Sequence, residues 1–193
     1  MPSFNIHLAV GIKYCEKNVI KNKDDFFKGS IAPDLVKDKS ITHYTGFKDT
    51  SNLKRYLKEK VRLNEYLKNE KIDSDYKSGE FLHLVTDYIF FNGLFEEEYI
   101  ENITYKEFVQ DLYYSYNITN KYLEKQYDIH SLNLDDIMNN NIKDTLKNKK
   151  VDNTVGKNIL PVEKLEDFIE TMSNLDIKKY IEKIKKENRN VFP

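Results

Sequence analysis

Apolar side chains recur at the spacing of an α-helix along most of this 193-residue chain, and this periodicity restricts its possible folds more than any other feature. After Thr104, for example, one helical face carries Tyr105, Phe108, Leu112 and Tyr116. Glycine and proline number only 6 and 4, too few for a turn-rich β-sandwich or a glycine-cradled nucleotide site. The sequence therefore predicts an all-α protein, a helical bundle with one central helix.

Capping residues and helix-breaking residues give the expected boundaries. Helices are predicted from Ser3 to about Val19, as a turn over Asp24–Lys28, from Ser51, over Asp75–Phe91, from Thr104 to about Tyr127, after Pro161, and after Asp176. Gly29 and Pro33 are expected to end regular helix and to place Asp34 on a loop. Residues 131–160 are rich in Asn, Asp and Lys and are predicted to form a loop with a short helix or two.

The length fits a single domain. We expect one helical domain over residues 1–193, in which a metal-site half covers about residues 1–95 and a helical C-terminal half covers about residues 96–193. Its charges are balanced, with 31 Lys and Arg against 32 Asp and Glu, and no basic tract stands out. A nucleic-acid partner is therefore not expected.

No targeting or membrane segment is expected from the pattern of apolar residues. The beginning of the chain lacks a basic region followed by an apolar one, which predicts no secretory signal and a cytoplasmic protein. The longest apolar stretch, residues 81–95, is interrupted by polar residues and is too short to span a bilayer. The single cysteine, Cys15, cannot form an internal disulfide.

Two polar residues interrupt the most apolar predicted helix. His83 and Asp87 are four residues apart, so both side chains lie on one helical face and can approach one cation together. Gly79, four residues earlier, leaves room below them. A carboxylate buried among apolar side chains costs free energy unless a cation or hydrogen bonds hold it. The pair therefore predicts a metal-binding helix at the centre of the bundle.

Further candidate ligands lie on other predicted elements of the front half: His7, Asp34 and His43. Side chains that converge from several helices are how helical bundles bind metals, and imidazole with carboxylate suits zinc, with manganese or iron as alternatives. Taken one at a time, each residue is better explained as a core histidine or an N-cap aspartate, so the prediction depends on their convergence. His130 has no matching carboxylate nearby and is interpreted as structural.

Four segments of the front half form a pattern together. They are the start through His7, the segment GSIAPD at 29–34, the step THY at 42–44, and the segment GEFLHLVTDY at 79–88. In order and spacing they resemble the zinc-dependent phospholipase C family, in its bacterial intracellular branch, and the resemblance covers about residues 1–95. It implies an all-helical bundle whose polynuclear zinc site hydrolyses phosphate esters.

The resemblance also implies a set of ligands. By this likeness one metal is held by Asp34, His43, His83 and Asp87. Asp87 bridges to a second metal that His7 also binds. The histidines of the third metal site in secreted members have no counterpart, because no histidine lies between Asp87 and His130. We therefore expect one or two ions that activate water for attack on phosphorus, with Asp34 as the catalytic residue that orients or deprotonates this water.

The expected partner is a small phosphoester substrate or a lipid headgroup. Lys37, Lys39 and Tyr44 lie close enough to the proposed ligands in sequence to contact a phosphate, although solvated surface is the usual position of a lysine. A second interpretation is a non-catalytic binding or interaction protein in which the metal only stabilises the helices. A third, an HD-type phosphohydrolase, is disfavoured because the chain has no adjacent His-Asp dipeptide.

Overall fold

The fold is helical throughout the described part of the chain. The computed structural model describes residues 2–132 and 155–193, and these ranges contain helices and no strand. The α-helices are α1 (Phe4–Lys17), α2 (Lys23–Ile31), α3 (Lys39–Thr42), α4 (Leu53–Lys58), α5 (Leu63–Asn69), α6 (Asp75–Gly93), α7 (Glu97–Glu101), α8 (Tyr105–Gln126), α9 (Val162–Ser173) and α10 (Ile177–Glu187). The predicted all-α class is confirmed. Most of the loop predicted at 131–160 lies outside the described residues.

Helix α6 is the central helix. Every residue from Phe81 to Phe91 is buried, so the helix is covered on all its faces. It begins where the sequence predicts, because the side chain of Ser74 accepts a hydrogen bond from the backbone N–H of Lys77. Its two polar side chains are consequently held deep in the apolar core, where a charge must be compensated.

Helix α2 crosses α6 at a distance that only glycine allows. A Cβ on Gly29 would lie 2.0 Å from the carbonyl oxygen of Tyr76, and a Cβ on Gly79 would lie 2.0 Å from that of Phe26. The prediction that Gly29 ends regular helix is wrong, since α2 continues through it to Ile31. This glycine permits the close approach of two helix backbones instead of terminating one.

The local structure around Asp34 also differs from the predicted loop. It closes a 3₁₀ turn, Ala32–Asp34, that follows α2 directly, with Pro33 near the start of the turn. Proline fixes a helix-compatible φ and lacks the N–H that such a turn leaves free. The chain therefore tightens at Pro33 instead of opening into an irregular loop.

Most other helix boundaries follow the predicted caps. Thr104 and Glu107 form the predicted capping box of α8, and Asp176 caps α10. Helix α1 ends at Lys17, two residues before the predicted end. Asn52, and not the preceding serine, caps α4 by accepting a hydrogen bond from a backbone N–H.

The buried core draws on both halves of the chain. Ile6 and Leu8 of α1 belong to the same apolar cluster as Leu165 and Ile169 of α9. The single domain over residues 1–193 stays a prediction. Across the described ranges, no helix is both long enough and apolar enough to cross a membrane.

Candidate metal centre

The five side chains predicted to bind metal lie in one cluster. Helix α1 contributes His7, the 3₁₀ turn contributes Asp34, His43 directly follows α3, and α6 contributes His83 and Asp87. Two overlapping groups each have ligand atoms within 4.8 Å of one another: His7, His83 and Asp87 form one, and Asp34, His43 and His83 form the other. The structure therefore brings together residues that are up to 80 positions apart, as one site would require.

Asp87 lies between two imidazoles. Its Oδ1 is 3.2 Å from Nε2 of His7, and its Oδ2 is 3.1 Å from Nε2 of His43. The carboxylate is completely buried, with 0% of its surface exposed. One oxygen thus faces each histidine, an arrangement that suits a carboxylate shared between two positions in the cluster.

Hydrogen bonds to backbone carbonyls orient two of the histidines. Nδ1 of His83 lies 2.8 Å from the carbonyl oxygen of Ser30, at the close crossing of α2 and α6. Nδ1 of His43 lies 2.9 Å from the carbonyl oxygen of Lys39. Because a carbonyl only accepts, each Nδ1 carries a proton, and Nε2 is the ring nitrogen that faces the cluster. Metal-binding histidines are commonly oriented in this way.

The atoms that face one another are consequently acceptors. Nε2 of His43 and Nε2 of His83 are 3.3 Å apart, and Oδ1 of Asp34 lies 3.6 Å and 3.7 Å from them. Both carboxylate oxygens of Asp87 and both ring nitrogens of His7 lack a hydrogen-bond partner among the described residues. One of the two ring nitrogens of His7 carries a proton and can donate it to Asp87. The opposed Nε2 atoms of His43 and His83 have no proton between them, and buried acceptors in such a position are costly unless a cation lies among them.

The protonation states of the cluster favour a metal over a proton. Burial, with the neighbouring His7 ring, lowers the pKa of His83 from 6.5 to about 3. Burial raises the pKa of Asp87, but its contacts with His43 and His7 outweigh burial and bring it well below the ordinary value. His83 is therefore neutral and Asp87 ionised at neutral pH, and these are the states in which such side chains bind metals.

Asp34 is the candidate ligand nearest to solvent, with a side chain that is 10% exposed. Nζ of Lys39 lies 3.0 Å from its Oδ1. Burial raises the pKa of Asp34, but attraction to His83 and Lys39 outweighs burial and brings the pKa below its ordinary value. Asp34 therefore remains ionised at the outer edge of the cluster.

A cleft leads from the surface to this edge of the cluster. Its volume is about 940 Å³, and Asp34 and His43 line its inner wall. Such a volume is sufficient for a small ligand. The other lining residues include four lysines and three tyrosines: Lys37, Lys39, Lys48, Lys60, Tyr56, Tyr113 and Tyr116. The cleft is thus rich in positive charge beside the candidate ligands.

Some sequence expectations fall elsewhere in the structure. Tyr44 packs edge-on against Tyr66 and does not line the cleft. His130 lies in the 3₁₀ turn Ile129–Ser131, with a side chain that is 76% exposed and 3.7 Å from Glu124. It belongs to neither candidate metal group.

The sequence reasoning missed the lysine at position 60 and the tyrosines that form the cleft wall. Tyr116, on the helical face of α8 named above, is buried in the core and also lines the cleft. Tyr113 lies next to that face, and Lys60 follows a short helix without any motif. No local pattern distinguishes such residues from other tyrosines and lysines. Only the tertiary packing of their segments around the cleft identifies them.

Comparison of the chain with protein-family models, with curated proteins and with solved structures found no significant match. A functional proposal for this protein therefore depends on the geometry of the cluster and on the residues of the cleft.

Proposed function

We propose that the protein is a metal-dependent phosphoester hydrolase whose His/Asp cluster binds one or two divalent ions, zinc first, with manganese or iron as alternatives. The proposed ligands are His7, Asp34, His43, His83 and Asp87. The observation that carries the proposal is the set of buried acceptors that face one another at the inner end of a cationic cleft. A divalent cation bound among them would compensate Nε2 of His43 and of His83 together with the carboxylates of Asp34 and Asp87.

When bound, the metal supplies Lewis-acid chemistry, because it lowers the pKa of water towards neutrality and offsets charge that develops on phosphoryl oxygens. Among the protein groups, Asp34 is the carboxylate that lies both in the cluster and on the cleft wall. Its lowered pKa makes it a weak base. We therefore assign Asp34 to accepting a hydrogen bond from the attacking water and so orienting it.

Two features support a phosphoester as the substrate. The lysines of the cleft lining favour an anionic ligand next to the metal ligands. The resemblance of residues 1–95 to the zinc-dependent phospholipase C family points to the same reaction. The ligand is then a small phosphoester or the phosphate of a lipid headgroup.

A purely structural metal is the second candidate. His7, His83 and Asp87 are all buried in the core, with 2% or less of each residue exposed, and a metal at such a position contributes folding free energy directly. The presence of Asp34 and His43 on the cleft wall favours the hydrolase.

The test is turnover of an aryl phosphomonoester and an aryl phosphodiester by the purified protein. We expect hydrolysis that a chelator abolishes and that zinc or manganese restores. Asp34→Asn is expected to lower kcat by about a hundredfold or more, the scale of one positioned acid–base group, and His130→Asn serves as the control. A folded, metal-loaded protein that turns over neither ester would leave the structural metal as the function of the cluster.

A further inference from the structure

Lys60 occupies a particular position relative to the cluster. His83, Asp87 and Phe91 follow one another at intervals of four residues on α6, so they lie on one face and successive residues are about 6 Å apart along the axis. Nζ of Lys60 lies 4.6 Å from the centre of the Phe91 ring. The ammonium group therefore lies beside the turn of α6 that follows Asp87, and Lys60 lines the same cleft as Asp34 and His43.

The backbone of Lys60 is tied to the segment that carries His43. The backbone N–H of Arg62 donates to the carbonyl oxygen of His43 at 3.1 Å, and Oγ1 of Thr45 donates to the carbonyl oxygen of Lys60 at 2.9 Å. These bonds fix the lysine and the candidate metal ligand relative to each other. At the end of its side chain, Nζ of Lys60 lies over the rings of Tyr56 and Phe91.

No carboxylate pairs with this ammonium group within residues 2–132 and 155–193. Its closest polar contact is the hydroxyl of Tyr56 at 3.4 Å, and its charge lies over the faces of the Tyr56 and Phe91 rings. Lys60 is partly buried, and burial lowers its pKa from the ordinary value. Asp87 and Asp34 offset part of this effect from a distance. A partly buried cation that no carboxylate contacts directly gains from an anionic ligand beside it.

The other charges of the cleft are already engaged or solvated. Lys39 pairs with Asp34, and Asp38 accepts hydrogen bonds from the backbone and hydroxyl of Ser40. Lys37 and Lys48 are exposed. In the described part of the cleft lining, Lys60 is thus a partly buried charge with no carboxylate in contact, although Asp87 and Asp34 attract it from a distance.

We propose that Lys60 is the anion-binding, specificity-determining residue of the cleft, and that it selects a phosphate monoester over a diester with a cationic headgroup. The choice between two substrates rests on the proposed function, whereas the binding of an anion by Lys60 does not. A monoester carries a second negative charge that an ammonium group beside the cluster can hold. A quaternary ammonium headgroup is repelled by Lys60, and the Tyr56 face that would otherwise hold such a group already lies under the lysine.

The first measurement is calorimetric binding of inorganic phosphate to the metal-loaded and the metal-free protein. Lys60→Met removes the charge and keeps a side chain of similar length on the same two rings, so its melting temperature is expected to match the wild type. We expect this variant to bind phosphate about tenfold to a hundredfold more weakly. Lys58→Met, at an exposed lysine of the neighbouring helix α4, is the matched control and is expected to bind normally. Lys60→Arg is expected to retain most of the affinity.

The second measurement compares KM for p-nitrophenyl phosphate with KM for p-nitrophenyl phosphorylcholine. In Lys60→Met the preference for the monoester is expected to fall by the same factor as phosphate affinity.

Phosphate binding that depends on Lys60 without hydrolysis would support the anion site and contradict the hydrolase. Hydrolysis with phosphate affinity and substrate preference unchanged in Lys60→Met would overturn this inference and leave the hydrolase intact. Failure of both protein forms to bind phosphate would also overturn it.

Discussion

Two backbone carbonyls determine the chemistry of the cluster. The carbonyls of Ser30 and Lys39 each take the proton of one imidazole Nδ1, so that Nε2 of His83 and Nε2 of His43 are both directed at the carboxylates as lone pairs. Main-chain oxygens are reliable partners for this purpose, because side-chain substitution at those two positions does not remove them. The same hydrogen bonds would raise the basicity of the rings towards a metal.

Removing a ligand from the centre of the cluster is expected to release metal. His83→Ala and Asp87→Ala are each expected to weaken metal binding by about a hundredfold or more, since even an outer partner of a ligand costs about 10–100-fold. Both variants are also expected to melt at a lower temperature, because the metal binds only the folded state. Metal content by elemental analysis, together with thermal melting, measures both effects.

The matched control for these ligand variants is His130→Ala, which removes an exposed histidine outside both metal groups. Its metal content and melting temperature are expected to equal those of the wild type. Full metal content in both His83→Ala and Asp87→Ala would remove them from the ligand set.

The low pKa of His83 predicts acid sensitivity of the metal-free protein. Below about pH 6.5 the unfolded chain protonates this histidine, whereas the folded protein does not until about pH 3. The unfolded state therefore binds more protons in this interval, and the free energy of unfolding falls as the pH falls, by about 1.4 kcal/mol per pH unit from this residue. The lowered pKa of Asp87 acts in the same direction at lower pH.

Urea unfolding of the chelator-treated protein between pH 7 and pH 4 measures this dependence. His83→Gln is expected to show a shallower loss of stability on acidification, while His130→Gln keeps the slope of the wild type. Parallel pH profiles for the wild type and His83→Gln would contradict a buried, neutral His83.

At the scale of elements, the crossing of α2 and α6 positions the cluster. The two helices approach closely enough at Gly29 and Gly79 for the carbonyl of Ser30 to reach the ring of His83. Gly79→Ala places a Cβ 2.0 Å from the carbonyl oxygen of Phe26, a backbone atom that cannot move aside alone. We expect a loss of about 3 kcal/mol in the free energy of unfolding, the upper range for overpacking, together with weaker metal binding.

Gly93→Ala, at the other end of α6, is the control for this substitution. Its Cβ would come closest to the far end of the Phe192 side chain, at 3.0 Å, and this side chain is 46% exposed. Chemical denaturation is expected to show a change of less than about 1 kcal/mol, the scale of helix propensity. Equal stability of the Gly79→Ala and Gly93→Ala variants would show that the crossing tolerates a side chain.

Helices and their caps could be predicted from the sequence where the residues that determine them are neighbours in the chain. The central helix, the capping box at Thr104 and the cap at Asp176 were predicted because each depends on residues within one turn. Helices α3, α5 and α7 were not predicted, since four to seven residues are too few to establish a period. Gly29 was misinterpreted because only the partner helix shows that it permits a close approach.

The same distinction applies to the site. The spacing of His83 and Asp87 on one helix is visible in the sequence alone, and His7, Asp34 and His43 were candidates because of their residue types and places in the chain. The assignment of these residues to one metal or two was implied by the family resemblance. Lys60 could not be predicted, because its significance depends on lying over the ring of Phe91 and on lacking a counter-ion. Both properties arise from tertiary packing, and the spacing of residues near Lys60 in the sequence does not indicate them.

At the scale of the whole molecule, the bundle places a charged cluster inside an apolar core and opens it on one side. Helices α1 and α6 bury His7, His83 and Asp87, while the segment between α2 and α4 brings Asp34 and His43 to the cleft. A metal that binds only the folded state stabilises it by about 2.7 kcal/mol when the free metal exceeds Kd by a hundredfold. Folding and the proposed chemistry would thus depend on the same ion.

The most direct measurement is the zinc stoichiometry of the protein, by elemental analysis after purification and by calorimetric titration of the chelator-treated form. The cluster of opposed acceptors predicts one or two zinc ions per chain, bound tightly and with a rise in melting temperature. A purified protein that contains no divalent transition metal, and whose chelator-treated form neither takes up zinc nor melts at a higher temperature in its presence, would contradict this account.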